Sequence, residues 1–420
     1  SKYMEKELFR AIIAENQEYI GRIPLIQRPL DIEEYGNYVF VGVRQAGKSY
    51  LLYQRMQQLL ANGVDIENIV YINFDDERLQ GMSVTDFDLI LQAYHSMYDS
   101  QPIFFFDEIQ NVEGWANFAR RLANQKYHIY ITGSNAKMLS RDIETVLGGR
   151  YLDISVFPYS FLEYLKAVGV LLSKNWQYGR KANELQRHFR TYFDWGGFPE
   201  LVHFQEKRVW LNSLYNRIFF NDLVVRHKVK NEDALRLCVR RLAESVKQPC
   251  SLNRLSNLIK ATGTSCSPST VMEYVRYLQE SCLLISIDNY VSKFVEKETI
   301  KKHYFVDNGL LHLFINNPNT SLLENLCAIT LYKKYGKGLY YYNKNIEVDF
   351  YVPDEGLAVQ ASYQMSDGET IEREVKALVA LHGLYPLKRA MIITYEDEGE
   401  IVRDGLKIEI RPAWKWVLEG

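Results

Sequence analysis

The stretch Gly42-Val43-Arg44-Gln45-Ala46-Gly47-Lys48-Ser49 spaces two glycines, an ammonium and a hydroxyl as GxxxxGK[ST]. Glycines let a backbone turn its N–H groups inward around an anion, and a following helix adds the positive end of its dipole. The lysine of such a loop reaches the β- and γ-phosphates of a nucleotide, and the hydroxyl ligates Mg²⁺. Tyr50 follows, and residues 42–50 are together the expected nucleotide contacts. IFFFDE then ends an apolar run with Asp107 and Glu108, where an open α/β sheet presents its ligands. There Asp107 would hold Mg²⁺, directly or through water, and Glu108 would polarise the water that attacks a γ-phosphate.

Two further positions have alternative readings. Thr132-Gly133-Ser134-Asn135 ends another apolar run. A hydroxyl or amide there either senses the γ-phosphate or caps the next helix, and Ser134 and Asn135 suit both roles. Arg150, in LGGR, either stabilises transition-state charge, including that on a neighbouring subunit's nucleotide, or makes an ordinary salt bridge. A guanine reader would carry Asn-Lys-x-Asp after a strand. Asn343-Lys344-Asn345-Ile346 lacks the aspartate, so ATP is the expected nucleotide.

These groups need elements to position them. From Tyr38 to about Pro158 the apolar runs YVFVGV, NIVYINFDDE, PIFFFDEI, YHIYITGSN and YLDISVF alternate with helical patterns. Near-continuous apolar strands separated by amphipathic helices imply a parallel sheet covered on both faces, an α/β fold of the P-loop NTPase kind. The loop follows the first strand and opens a helix, the context its motif requires.

A chain of 420 residues exceeds one ordinary core. The pattern predicts an ATPase core (1–158), a helical lid or joint (159–230), a three-helix and hairpin segment (231–302) and a C-terminal α/β region (303–420). The net charge of −2 gives no global pull toward nucleic acid or membrane. No apolar run approaches a membrane span, and SKYMEKELFR has no signal-peptide core. Five scattered cysteines without CxxC spacing read as reduced thiols, so a cytoplasmic setting is expected.

GVRQAGKS, FFFDEIQNVEGW, ITGSNAKMLS, LGGRYLDISVFPYSFLEYL and WGGFPELV together resemble the large family of prokaryotic AAA-type ATPases with a DUF4143 C-terminal region. The resemblance follows nearly the whole chain in the same order. It implies an AAA/ASCE sheet, with a strand inserted between the phosphate-loop strand and the Asp-Glu strand. It also implies Asn135 (or Ser134) as the first sensor.

Residues 231–302 read as a winged helix whose third helix, from Ser267-Pro268, would enter a major groove. Residues 226–302 carry 14 Lys+Arg against 8 Asp+Glu, a local excess of +6 that favours duplex DNA. The third helix offers only Arg276 against Glu273 and Glu280, so domain, protein-partner or homo-oligomer packing is the competing role. In the resembled family, residues 303–420 correspond to a PD-(D/E)xK nuclease core. Asp349 and Glu324 match its acids, but Gln360 stands where the glutamate belongs and Ser362 where the lysine belongs. A retained fold with lost nuclease activity is expected.

Overall fold

The computed structural model describes residues 4–419. It divides into two compact units, one running up to Phe157 with Glu280–Cys282 added, the other Pro158–Gln279 and the described residues from Leu283 onward. No helix among the described residues is long and apolar enough to cross a membrane.

In the first unit the elements are α1 (Lys6–Tyr19), β1 (Tyr38–Val41), α2 (Lys48–Ala61), β2 (Ile69–Asn73) and α3 (Phe87–Met97). They continue with β3 (Ile103–Asp107), α4 (Trp115–Asn124), β4 (His128–Gly133), α5 (Arg141–Leu147) and β5 (Leu152–Ser155). The five strands form one parallel sheet of order β2-β3-β4-β1-β5. This is the P-loop ATPase arrangement, with β4 inserted between β1 and β3.

The strands explain the sheet. β1 and β4 are aromatic and β-branched, and β1 is buried along its whole length, as a strand covered on both faces must be. Phe87 stacks on Phe118 with centroids 4.3 Å apart, joining α3 to α4 over the sheet. Each fully buried side chain of this size contributes roughly 1.5–3 kcal/mol. β5 lies at the edge and is mostly exposed. Register then places the chemistry. Val41 pairs with Gly133 and Phe106 with Ile131, so the loop after β1, Thr132 on β4 and Asp107 on β3 emerge side by side.

The second unit begins with α6 (Phe161–Ala167), α7 (Gly179–Trp195) and α8 (Lys207–Arg217). The segment expected as a lid is built into this unit rather than the first. Tyr159 N–H donates to Gly197 O (2.7 Å), and Gly197 N–H donates to Asp307 Oδ2 (2.8 Å). Gly196 has φ 78° and closes α7 where a side chain would meet the Asp307 carboxylate. That is why WGGFP carries its glycine pair.

Next come α9 (Glu232–Glu244), β6 (Cys250–Ser251), α10 (Leu252–Lys260), α11 (Pro268–Glu280), β7 (Leu284–Asn289), α12 (Phe294–Thr299) and β8 (Ile300–Phe305). β7 and β8 pair antiparallel, and β6 adds to β8. α13 (Asn308–His312), α14 (Asn319–Tyr335), β9 (Tyr340–Asn343), β10 (Glu347–Val352) and β11 (Leu357–Ala361) follow. The chain ends with α15 (Gly368–Leu384), β12 (Arg389–Thr394), β13 (Gly399–Arg403), β14 (Leu406–Pro412) and α16 (Ala413–Glu419).

All nine strands of this unit form one mixed sheet, β13-β14-β12-β11-β10-β9-β7-β8-β6. The expected division at 302/303 therefore falls inside β8. The buried Tyr304 and Phe305 of that strand pair with Ile285 and Leu284, so the hairpin and the C-terminal region share one sheet.

Candidate functional site

The loop after β1 is shaped by backbone geometry. A Cβ at Gly42 would run into the Val156 carbonyl, so only glycine lets the loop leave the sheet there. Gln45 (φ 68°) and Gly47 (φ 105°) take left-handed conformations, and Gly47 caps α2. Val43 and Ala46 are buried, Arg44 is half-buried, and Ala46 N–H closes a turn onto Val43 O (3.1 Å). Lys48 is buried and folds back over the loop, its Nζ donating to Gly42 O and Val43 O, each at 2.8 Å. Tyr50 is 55% exposed and packs edge-on against Tyr53.

Asp107 is wholly buried and accepts three hydroxyls. Ser49 Oγ and Tyr71 OH donate to Oδ2, and Thr132 Oγ1 donates to Oδ1, all at 2.5 Å. Burial, then the Glu108 charge, pushes the Asp107 carboxyl above the ordinary carboxylate range, although the three hydroxyls pull the other way. A divalent cation fits this donor set. Mg²⁺ takes one or two protein oxygens and completes its shell with phosphates and water. Ser49 and Asp107 are the residues that would hold it.

Glu108 has φ 54°, a left-handed strain that recurs at functional sites. Its N–H donates to Thr132 Oγ1 (3.0 Å), so one hydroxyl sits between both acids. Its Oε2 accepts from Gln110 Nε2 (2.5 Å) and Ser134 Oγ (3.1 Å), and Lys48 Nζ lies 3.9 Å from Oε1. Burial alone would raise the Glu108 carboxyl. The charges of Lys48 and Arg44, with the Gln110 and Ser134 hydrogen bonds, outweigh it and hold the group below its ordinary value. The two neighbouring carboxyls are thus shifted in opposite directions, Asp107 up and Glu108 down.

Of the two strand-end candidates it is Ser134 that meets Glu108. Asn135 Oδ1 accepts from Lys137 N–H (2.9 Å) and caps the short turn Ala136–Leu139. Arg150 is exposed, and its side chain makes no hydrogen bond or ion pair among the described residues. Tyr71 and Gln110 were not anticipated. The signal for Tyr71 was strand parity. Asn73 pairs with Asp107, and Tyr71, two residues earlier, therefore shares its face.

The second unit holds another acid cluster. Ser362 supplies no cation and donates to Gln364 O (3.3 Å). Lys302 of β8 supplies one instead, its buried Nζ 3.7 Å from Glu324 and 3.6 Å from Asp349. Burial would lower the Lys302 ammonium, but these two acids outweigh it and raise its pKa. Lys302 was not among the residues anticipated from the sequence. Gln360 is clasped, accepting from Asp349 N–H (2.8 Å) and donating to Glu347 O (3.2 Å). Among the described residues no group of three or more His, Cys, Asp or Glu is arranged to hold a metal ion.

A family model described as an AAA domain matches residues 35–165, the sheet and loop just described. Uncharacterized protein MJ1544 of Methanocaldococcus jannaschii is 32% identical across 99% of this chain and 96% of its own length. The chain belongs to the MJ1544 family. Another relative of this chain, an uncharacterized protein of Haemophilus influenzae, is 30% identical over 91% of this chain and 94% of that protein. A model named as a domain of unknown function, DUF8612, matches residues 186–321. The DUF4143 region expected over residues 303–420 is not shown, and DUF8612 overlaps those residues only at 303–321. Its span takes in WGGFP, the three-helix and hairpin segment and the Asp307 turn, joined here by hydrogen bonds and one sheet. Among solved structures, the Walker-type ATPase paby2304 of Pyrococcus abyssi is similar, with TM-score 0.42 and 12% identity over 74% of this chain and 96% of that chain.

Proposed function

We propose that this MJ1544-family protein binds ATP with Mg²⁺ at the loop 42–50 and hydrolyses it to ADP and phosphate. One observation carries the reading: Lys48 and Ser49 from one stretch and Asp107 and Glu108 from another converge in one cluster of hydrogen bonds and an ion pair, with Thr132 from a third stretch bridging the two acids. Loop N–H groups and Lys48 would bind the β- and γ-phosphates. Glu108 would take the proton of the attacking water as the bond from the γ-phosphorus to ADP breaks. Ser134 and Gln110 orient that carboxylate. Mg²⁺ would supply neutralisation of the charge on the phosphate oxygens. The absence of an Asn-Lys-x-Asp guanine motif favours ATP over GTP.

Titration with ATP in Mg²⁺, comparing wild type with Lys48→Ala, tests the binding claim. Lys48 is both the expected phosphate contact and the clasp of the loop carbonyls. Its loss should weaken ATP binding by at least tenfold and abolish measurable turnover. Equal affinity in the variant would remove the loop from the nucleotide site.

Turnover would serve a conformational change felt by the second unit, whose three-helix and hairpin segment is the candidate duplex-DNA contact. The local +6 charge supports that partner. Nuclease chemistry is not part of the proposal. Asp349 is satisfied by Lys302 and by Ala361 N–H (2.9 Å), and Glu324 by Lys302 and Tyr304 OH (2.7 Å). Glu374, beside Asp349, is pushed by burial up to about 9 and is neutral at pH 7. Adding Mg²⁺ or Mn²⁺ to protein and duplex or single-stranded DNA should give no cutting. Cutting that Asp349→Ala removes would contradict this.

A further inference from the structure

Residues 23–37 form neither helix nor regular strand, yet one side chain in this strap reaches the phosphate loop. Arg28 Nη1 donates to Ala46 O (3.0 Å), and Nη2 donates to Phe157 O (2.7 Å), just before the chain enters the second unit. The strap's backbone is fixed beside it. Arg28 N–H donates to Gln54 Oε1 (3.0 Å), and Gln54 Nε2 returns a bond to Arg28 O (2.9 Å). Gln54 is buried on α2, the helix that the loop opens. Gln57, one turn further along, holds the carbonyls of Ile20 and Ile23.

The consequence lies in the Ala46–Gly47 peptide. A trans peptide is planar, and its C=O and N–H point in opposite directions. A guanidinium that captures the Ala46 carbonyl therefore turns the Gly47 N–H away from itself. Gly47 is the N-cap of α2, at a helix end whose N–H groups have no intrahelical partner and can meet an anion. Gly47 also has φ 105°, where a peptide without an outside anchor has alternative orientations.

We infer that Arg28 is a positioning residue for the nucleotide site. It orients the Gly47 N–H toward the phosphates and ties that orientation to Phe157, at the exit toward the second unit. The inference rests on the ATP reading above. Arginine is required because its planar fork serves two carbonyls at once, whereas a lysine ammonium serves one.

The contact is to phosphates that ADP and ATP share, so it acts on binding rather than on the chemical step. In the full-length protein, Arg28→Ala should raise the Kd for ATP and for ADP by the same factor, about tenfold. KM should rise in step, with kcat per active site within about twofold. Arg28→Lys should recover part of the loss. Gln54→Leu, which frees the strap but keeps the guanidinium, should shift Kd in the same direction. A merely structural arginine would lower the folded fraction and apparent kcat and leave KM and Kd unchanged, and that result would overturn the inference. If Arg28→Ala does not fold, unchanged Kd values in both Arg28→Lys and Gln54→Leu overturn it equally. Failure of the wild type itself to bind ATP would instead bring down the nucleotide reading on which this one stands.

Discussion

Replacing Glu108 by glutamine should cut ATP turnover by about 10²–10⁴-fold while ATP remains bound, the range spanned by loss of a positioned general base. The substitution keeps the shape, so the Gln110 and Ser134 partners of Oε2 still have an acceptor to meet. It removes the negative charge that Lys48 faces at 3.9 Å, so phosphate binding should hold or tighten. The carboxylate is lost where the structure works to keep one. Lys48 and Arg44 hold this group below its ordinary value against the pull of burial. Phosphate release and equilibrium ATP titration separate the two effects. Turnover within threefold of wild type would place the base elsewhere.

The other large effect should follow from Asp107→Asn. Asp107 faces three hydroxyl donors with two oxygens, and an amide offers one oxygen and an NH₂ group in their place. At least one hydroxyl then meets a donor, and the anionic ligand for Mg²⁺ is gone. Loss of several kcal/mol of metal-derived stabilisation corresponds to a fall in turnover on the order of 10²–10³-fold. A buried polar mismatch costs about 1–3 kcal/mol, so the first unit should also melt several degrees lower. Tyr71→Phe removes one of the three donors and keeps the charge, and should cost no more than about tenfold in turnover. Equal effects in the two variants would mean that Asp107 acts through packing rather than through its charge.

The ATPase-like half of the chain was legible because its strands are buried on both faces and read as unbroken apolar runs, punctuated by glycine and by paired acids. Spacing placed Gly42 through Tyr50 on a strand–loop–helix junction, and strand ends placed Asp107 and Glu108. The partners that tune these groups were not legible. Tyr71 needed the register of β2 against β3, and Thr132 needed β4 to lie between loop and acids. Arg28 sits in a strap with no periodicity, 18 residues before the carbonyl it holds. In the second unit the ion pairs were not legible. Lys302, the cation beside Asp349, lies 47 residues before it on β8, the strand that the expected 302/303 boundary cuts, so no local spacing announced the pair.

The most direct test of the account is phosphate release by the wild-type protein in ATP and Mg²⁺, with ATP binding measured alongside, across protein concentrations and with and without duplex DNA. The account predicts Mg²⁺-dependent turnover that vanishes in Glu108→Gln while binding persists. ATP that fails to bind at the loop 42–50 under any of these conditions would contradict it.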